Sequence, residues 1–226
     1  MNLYKRGMIF VTFLGSCLGI ALVAAALGTK HWVTSRAKRT PNPSESDGLV
    51  HLGLFYGDKD LNVAYGWRNY PFTVVDTMRS DPSFMVYSYW LTTVACLSLS
   101  LLFAAAAAVF AVINTATTPI GALTGVPGLY LWNIATLAFQ CTSIGFWIAQ
   151  FYERLQYNVL GLEEKSNHWT SQGMASFGFS FWLAVGAAFV HFANILFIYF
   201  GTRESRAKAA SIPVLEEKGN GAIMLY

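Results

Sequence analysis

Residues 82–152 contain no Asp, Glu, Lys or Arg. Their sequence is PSFMVYSYWLTTVACLSLSLLFAAAAAVFAVINTATTPIGALTGVPGLYLWNIATLAFQCTSIGFWIAQFY. As one helix these 71 residues would be about 105 Å long, whereas the hydrocarbon core of a bilayer is about 30 Å thick. The polar segment Asn114–Pro119 and the glycines after it interrupt the apolar run, as residues that break helices do. The stretch therefore predicts two membrane-spanning helices joined by a short turn.

Two further runs without charge, residues 7–29 and 166–202, each have room for one more span. Charged residues make up 12% of the 226 residues, against about 25% in an average soluble domain. A cleaved signal peptide is the alternative for the first run, which is longer than the usual apolar region of such a peptide. We therefore predict an all-α membrane protein, a four-helix bundle with spans at Met8–Gly28, Tyr89–Ile113, Leu129–Phe151 and Phe177–Phe200.

The orientation follows from the basic residues next to the first and last spans. Lys5 and Arg6 precede the first span, and Arg203 and Arg206 follow the fourth. Since Lys and Arg concentrate on the cytoplasmic side, both termini are predicted to be cytoplasmic. Residues 1–7, 114–128 and 201–226 then face the cytoplasm, and residues 29–88 and 152–176 form extracellular loops. The net charge of +3 is too small and dispersed to indicate nucleic-acid binding.

The first extracellular loop divides into two parts by composition. Residues Arg36–Gly48 are polar with two prolines and are predicted to be mobile, whereas Leu49–Tyr56 is predicted to form a short β-strand. The three cysteines, Cys17, Cys96 and Cys141, lie within the predicted spans, so no extracellular disulfide is expected.

Small and polar residues inside the spans allow two interpretations each. Gly15 and Gly19 form a GxxxG step, which brings helices close either within the bundle or between two copies of the chain. His191 and Asn194 share one face of the fourth span, and Gln140 lies in the third. They favour hydrogen bonds between helices; the alternative is the substrate or proton path of a small transporter.

The sequence does not indicate an enzyme, a cofactor or a metal site. Motifs with zinc-ligand spacing, phosphate-binding loops and nucleophile elbows are all missing from it. The chain ends in Met224, Leu225 and Tyr226, and a hydrophobic last residue suits a scaffold protein with a PDZ-type groove. The alternative is a frayed tail without a partner.

Several segments, in chain order, together resemble the clarin family. Gly53 and its neighbours are similar to the family's Y-G-L-F-x-G element, and the last three residues are similar to a clarin ending. The segments that carry the resemblance are Ala26–Thr29 with Trp32, Leu52–Gly57, Pro127–Asn133, Ser176–Trp182 and Met224–Tyr226.

The resemblance implies a non-enzymatic organiser or scaffold of the plasma membrane, linked to sensory cells, actin-rich protrusions or synapses. Gly53, Leu54, Phe55 and Gly57 are the expected partner contacts outside, and Met224, Leu225 and Tyr226 those inside. The alternatives are an auxiliary subunit of a channel or junction complex, and the small transporter. The lipid bilayer is a partner in every case, and a homo-oligomer is one open arrangement.

Overall fold

The computed structural model describes residues 3–62, 66–117, 119 and 121–210, with side chains as far as Arg203 in the last range. Four of its helices are long and apolar enough to cross a membrane, which confirms the predicted four-helix fold. The helices are α1 (Leu3–Gly28), α2 (Val74–Ser80), α3 (Tyr87–Ala116), α4 (Val126–Gln150), α5 (Leu162–Ser166) and α6 (Phe179–Ala210). The four spanning helices are α1, α3, α4 and α6, and α4 continues as a π-helical turn, Phe151–Leu155.

The spanning helices pack in a closed square. Helix α1 lies against α3 and α6, and α4 lies against the same two helices. Small buried residues such as Ala107 on α3 and Ala187 on α6 fill the interior, whereas Leu102 and Phe189 point outward. Because lipid is as apolar as these side chains, close packing of small residues is what holds such helices together.

The short turn between α3 and α4 is closed by hydrogen bonds and by close approach of the backbone. The Asn114 side-chain amide donates to the carbonyl oxygens of Phe110 at 2.8 Å and Thr124 at 2.5 Å. A Cβ atom on Gly128 would overlap the backbone of Leu123, so this position requires glycine. The polar break seen in the sequence thus begins within the last turn of α3, where Asn114 bonds to Thr124 ahead of α4.

Six antiparallel strands form a sheet at the other end of the bundle, called here the sheet side. The order is β4-β3-β2-β1-β5, and β6 also pairs with β1, beside β5. Strands β1 to β4 come from the loop after α1, and β5 and β6 come from the loop before α6, so the two loops share one sheet. The strands are β1 (Val33–Arg39), β2 (Gly48–Leu52), β3 (Tyr56–Asn62), β4 (Trp67–Thr73), β5 (Trp169–Thr170) and β6 (Ala175–Phe177).

Two predictions about the first loop were wrong in detail. Arg36–Arg39 is not mobile but part of β1, because Lys38 and Arg39 pair with β5 from the other loop. The single strand predicted at Leu49–Tyr56 is instead the end of β2, a turn, and the first residue of β3. The first difference comes from pairing between distant segments, and the second from the turn of the β2–β3 hairpin, neither of which local composition reports.

Candidate functional site: the sheet and the polar layer of the bundle

Trp32 joins the sheet to the bundle. Its indole N–H donates to the carbonyl oxygen of Ala26 at 2.7 Å, which satisfies a free carbonyl near the end of α1. The ring is fully buried and meets Trp147 of α4 edge to face, with 5.0 Å between the centroids. The Trp32 backbone N–H donates to the carbonyl oxygen of Leu52 in β2 at 2.9 Å. One residue thus fixes the exit of α1, the inner face of α4 and the start of the sheet.

The start of α6 is tied to the same point. The hydroxyl groups of Thr29 and Ser180 are 2.7 Å apart, and the Ser180 backbone N–H donates to the carbonyl oxygen of His31 at 3.0 Å. A Cβ atom on Gly178 would overlap that carbonyl group, so only glycine allows α1 and α6 to meet here.

The predicted partner residues Gly53, Leu54, Phe55 and Gly57 lie in the turn between β2 and β3, against the bundle. Leu54 is fully buried, and its carbonyl oxygen accepts a hydrogen bond from the Trp90 indole at 2.7 Å. A Cβ atom on Gly53 would lie 2.9 Å from Lys30 Cα, and one on Gly57 would overlap the Phe72 ring. Phe55 is half-buried against the same apolar core. Their role in partner binding stays a prediction, and with this burial it would have to act through the shape of the turn.

The exposed surface of the sheet is concentrated on its edge strand. The first five residues of β4 are all exposed, which means that both faces of the strand are open there. Trp67 is 57% exposed and Tyr56 on β3 is 61% exposed. Trp67 pairs with Asn62 and Thr73 pairs with Tyr56, so Trp67 lies at the end of β4 away from α2, about 20 Å along the strand. Exposed aromatic residues at such an edge are typical of protein contacts.

Two ion pairs attach the second loop to the first. Lys59 of β3 and Glu164 of α5 are 2.5 Å apart, and both side chains are about nine-tenths buried. Glu164 also accepts the backbone N–H of Gly161 at 3.1 Å. Lys165 donates to Asp81 at 2.7 Å. Burial alone would raise the pKa of the Asp81 carboxyl, but hydrogen bonds from Lys165 and Ser83 outweigh it and lower that pKa.

A polar layer crosses the interior of the bundle, made by Thr12, Ser16, Asn133, His191 and Asn194, which are all buried. Asn194 Nδ2 is 3.2 Å from each of three acceptors: the Thr12 carbonyl oxygen, Ser16 Oγ and Asn133 Oδ1. His191 Nδ1 lies 3.1 Å from the same Asn133 oxygen. The layer therefore connects α1, α4 and α6.

Gly15 and Gly19 face this layer from α1. A Cβ atom on Gly15 would overlap the Asn194 amide, and one on Gly19 would lie 2.5 Å from His191 Nε2. The GxxxG step thus faces α6 of its own chain. A contact between two copies through these glycines would require α1 to leave α6.

Asn133 is, with Thr12 and Ser16, a residue of the layer that sequence reasoning did not select. It stands among the family-like residues at the start of α4, but its partners are 58 and 61 positions away in the chain. Gln140 lies deeper in α4, fully buried, and in the described part of the chain neither polar atom of its side chain has a hydrogen-bond partner. His191 and Asn194 are thus brought together through Asn133, and Gln140 is not connected to them by hydrogen bonds.

Two further expectations concern the tail and metal binding. Met224, Leu225 and Tyr226 lie outside the described residues. Among the residues that the structure covers, no group of three His, Cys, Asp or Glu side chains is placed to hold a metal ion.

Four spanning helices and a sheet shared by two loops define a multi-pass membrane protein of the tetraspan class. The Clarin-2-like family model matches residues 4–198. The chain therefore belongs to the clarin family, as the resemblance predicted.

Curated relatives agree with this assignment over most of their length. Clarin-3 of Homo sapiens is 25% identical over 203 residues, which is 87% of this chain and 87% of the relative. Clarin-3 of Mus musculus is 24% identical over 193 residues, covering 84% and 83%. Clarin-3 of Rattus norvegicus is 25% identical over 183 residues, covering 77% and 75%.

Proposed function

We propose that this chain is a non-enzymatic organiser of the plasma membrane, which presents its sheet to partner proteins outside the cell and its tail to a scaffold inside. Membership of the clarin family supports the role, and the resemblance extends it to sensory cells, actin-rich protrusions or synapses. The positive-inside rule supports the orientation, with the sheet outside and both termini in the cytoplasm.

The observation that carries this proposal is the rigid attachment of the sheet to the bundle. Trp32, Leu54 and Lys59 each bind a different part of the chain, namely α4, α3 and α5. An exposed edge with Trp67, Tyr70 and Tyr56 is thereby held in a fixed position above the spans. Preordering of this kind reduces the entropy that a partner must lose on binding.

The test of the sheet is proximity labelling in native cells with a Trp67→Ser/Tyr70→Ser double variant. Loss of the aromatic contacts is expected to reduce labelling of extracellular neighbours severalfold, since aromatic residues dominate interface energetics. Tyr157→Ser is the control, because Tyr157 on the sheet side is as exposed as Trp67 but lies outside the sheet. Equal labelling by the double variant and the control would contradict a partner surface on β4.

The tail is tested separately by deleting residues 223–226. If a PDZ-type groove captures the C-terminal carboxylate, the shortened chain should lose its retention at cytoskeletal sites while still reaching the cell surface. Unchanged localisation would remove the tail from the proposal. Co-purification of a pore-forming protein that is lost in the Trp67→Ser/Tyr70→Ser variant would instead favour the function of an auxiliary subunit.

A further inference from the structure

A groove of about 650 Å³ lies between α2, the start of α3 and the π-helical turn after α4. Its wall is apolar over most of its length, with Met78 from α2, Met85 before α3, and Trp90 inside α3. Two guanidinium groups complete the lining, Arg79 at the end of α2 and Arg154 in the π-helical turn. The groove thus combines an apolar floor with two cations.

The position of the groove is set by the ends of two spans. Helix α3 begins at Tyr87, a lining residue, and the candidate span that contains α4 ends at Leu155. Tyr87 is 58% exposed and Tyr152 is 56% exposed, and exposed tyrosines at span ends are typical of the headgroup level of a bilayer. The groove therefore opens where lipid phosphates and the first carbons of the acyl chains lie.

The charges of the groove are available to a ligand. In the part of the chain that the structure describes, the Arg154 side chain has no ion-pair partner. Arg79 is 3.8 Å from Asp76, and both side chains are more than 70% exposed, so this pair is weak. Two arginines against one carboxylate leave a net positive charge beside the apolar wall.

The π-helical turn explains how Arg154 reaches the groove. The Gln156 N–H donates to the Phe151 carbonyl oxygen, five residues earlier, at 2.9 Å. A turn with this spacing rotates the following side chains relative to an α-helix, and such turns are frequent at functional sites. Phe151 and Leu155 remain buried, while Arg154 is exposed beside α2 and α3.

From these observations we propose that the groove binds the phosphate and one acyl chain of a glycerophospholipid of the adjacent leaflet. Arg79 and Arg154 hold its phosphate, and the upper part of an acyl chain lies along Met78, Met85 and Trp90. A soluble anion would leave the apolar wall uncovered, and an uncharged lipid tail would leave the two cations without a counter-charge. A phospholipid satisfies both, and its remaining chain continues directly into the bilayer beside α3.

The experiment uses the full-length chain in detergent micelles and measures retention of added phosphatidylglycerol by native mass spectrometry. Each Arg→Gln change, at Arg79 or Arg154, is expected to weaken binding about fivefold, and the double variant about 25-fold. The control is Arg36→Gln/Arg68→Gln, which removes the same charge from exposed positions on β1 and β4 that do not line the groove. Equal weakening by the two double variants would overturn the site, since binding would then follow net charge alone.

Two further arms separate a lipid from its headgroup. Glycerol 3-phosphate in excess is expected not to displace phosphatidylglycerol, because it cannot cover the apolar wall. A Met78→Gln/Met85→Gln variant should bind phosphatidylglycerol more weakly, while the thermal unfolding transition of the protein stays cooperative. Displacement by glycerol 3-phosphate, or unchanged binding in the methionine variant, would show a phosphate site and overturn the proposal of a lipid groove.

Discussion

The polar layer of the bundle and the ion pairs of the sheet both hold distant segments together, but with different chemistry. In the layer, Asn133, His191 and Asn194 connect three helices through amide and imidazole groups. On the sheet side, Lys59 of β3 and Glu164 of α5 connect the two loops through an ion pair. The layer lies at membrane depth, where a charge costs several kilocalories per mole. On the sheet side, outside the spans, the cost of burying Lys59 and Glu164 is offset by their opposite charges and by the hydrogen bond from the Gly161 N–H.

This difference explains why the membrane-depth parts of the spans lack charge although a polar layer crosses the bundle. A hydrogen bond between neutral groups gives a helix pair its register, and it contributes only about 0.6 kcal/mol on average in a membrane. The larger benefit is specificity, because a misplaced Asn194 would leave its amide without a partner in lipid. Outside the spans, the ion pairs Lys59–Glu164 and Lys165–Asp81 hold the second loop against the first.

The largest expected effect comes from placing a charge in the layer. In the wild-type chain, the Thr12 and Asn133 oxygens accept hydrogen bonds from the Asn194 side-chain amide. An Asn194→Asp change keeps the size of the side chain but directs a carboxylate at these two oxygens. The free energy of unfolding should fall by about 3 kcal/mol or more. Chemical denaturation in micelles measures this.

The matched control is Asn42→Asp, in an exposed loop on the sheet side. A surface change of this kind is expected to alter the free energy of unfolding by less than about 0.5 kcal/mol. If the two Asn→Asp variants were equally stable, the layer would contain water and the contrast with the sheet would disappear.

A smaller loss is expected when the buried pair of the sheet is broken. A Lys59→Met change leaves Glu164 as an unpaired carboxylate and should cost about 1–3 kcal/mol. The double variant Lys59→Met/Glu164→Gln should recover most of this loss, since a neutral amide still accepts the Gly161 N–H. Thermal unfolding of the two variants measures the difference, and equal losses would mean that the charge of Glu164 is not what destabilises the single variant.

The sequence predicted the spanning helices well because exclusion of charge by lipid acts on each segment separately. It also selected His191 and Asn194, since polar groups at membrane depth are rare enough to be noticed. It did not select Asn133, because the function of that side chain is defined by partners on α6.

The sheet was harder to predict for the same reason. Strands β5 and β6 have two and three residues, too few to show an alternation of apolar and polar residues. They form because their backbones pair with β1. The motif around Gly53 and Gly57 predicts partner contact, which stays a prediction, but it does not indicate that these glycines pack against Lys30 and Phe72. The composition of a loop thus indicates which residues are unusual but not which segment they meet.

The smallest effect concerns His31, which lies where the bundle meets the sheet. His31 and His51 have ring centroids 4.5 Å apart, where α1 meets β2, and His31 also stacks on Phe179 of α6. Burial and the neighbouring His51 lower the pKa of His31 below 6.5, and Lys30 acts in the same direction, whereas Asp58 opposes it.

Because the folded pKa of His31 is lowered, the unfolded chain binds this proton more readily. The stabilising contribution of neutral His31 is complete above pH 6.5 and is lost as the pH falls from 6.5 through the folded pKa. Melting temperatures in micelles between about pH 7.5 and pH 5 should show a decline that is reduced in a His31→Asn variant. An identical decline in both proteins would assign the pH dependence to groups other than this junction of helix and sheet.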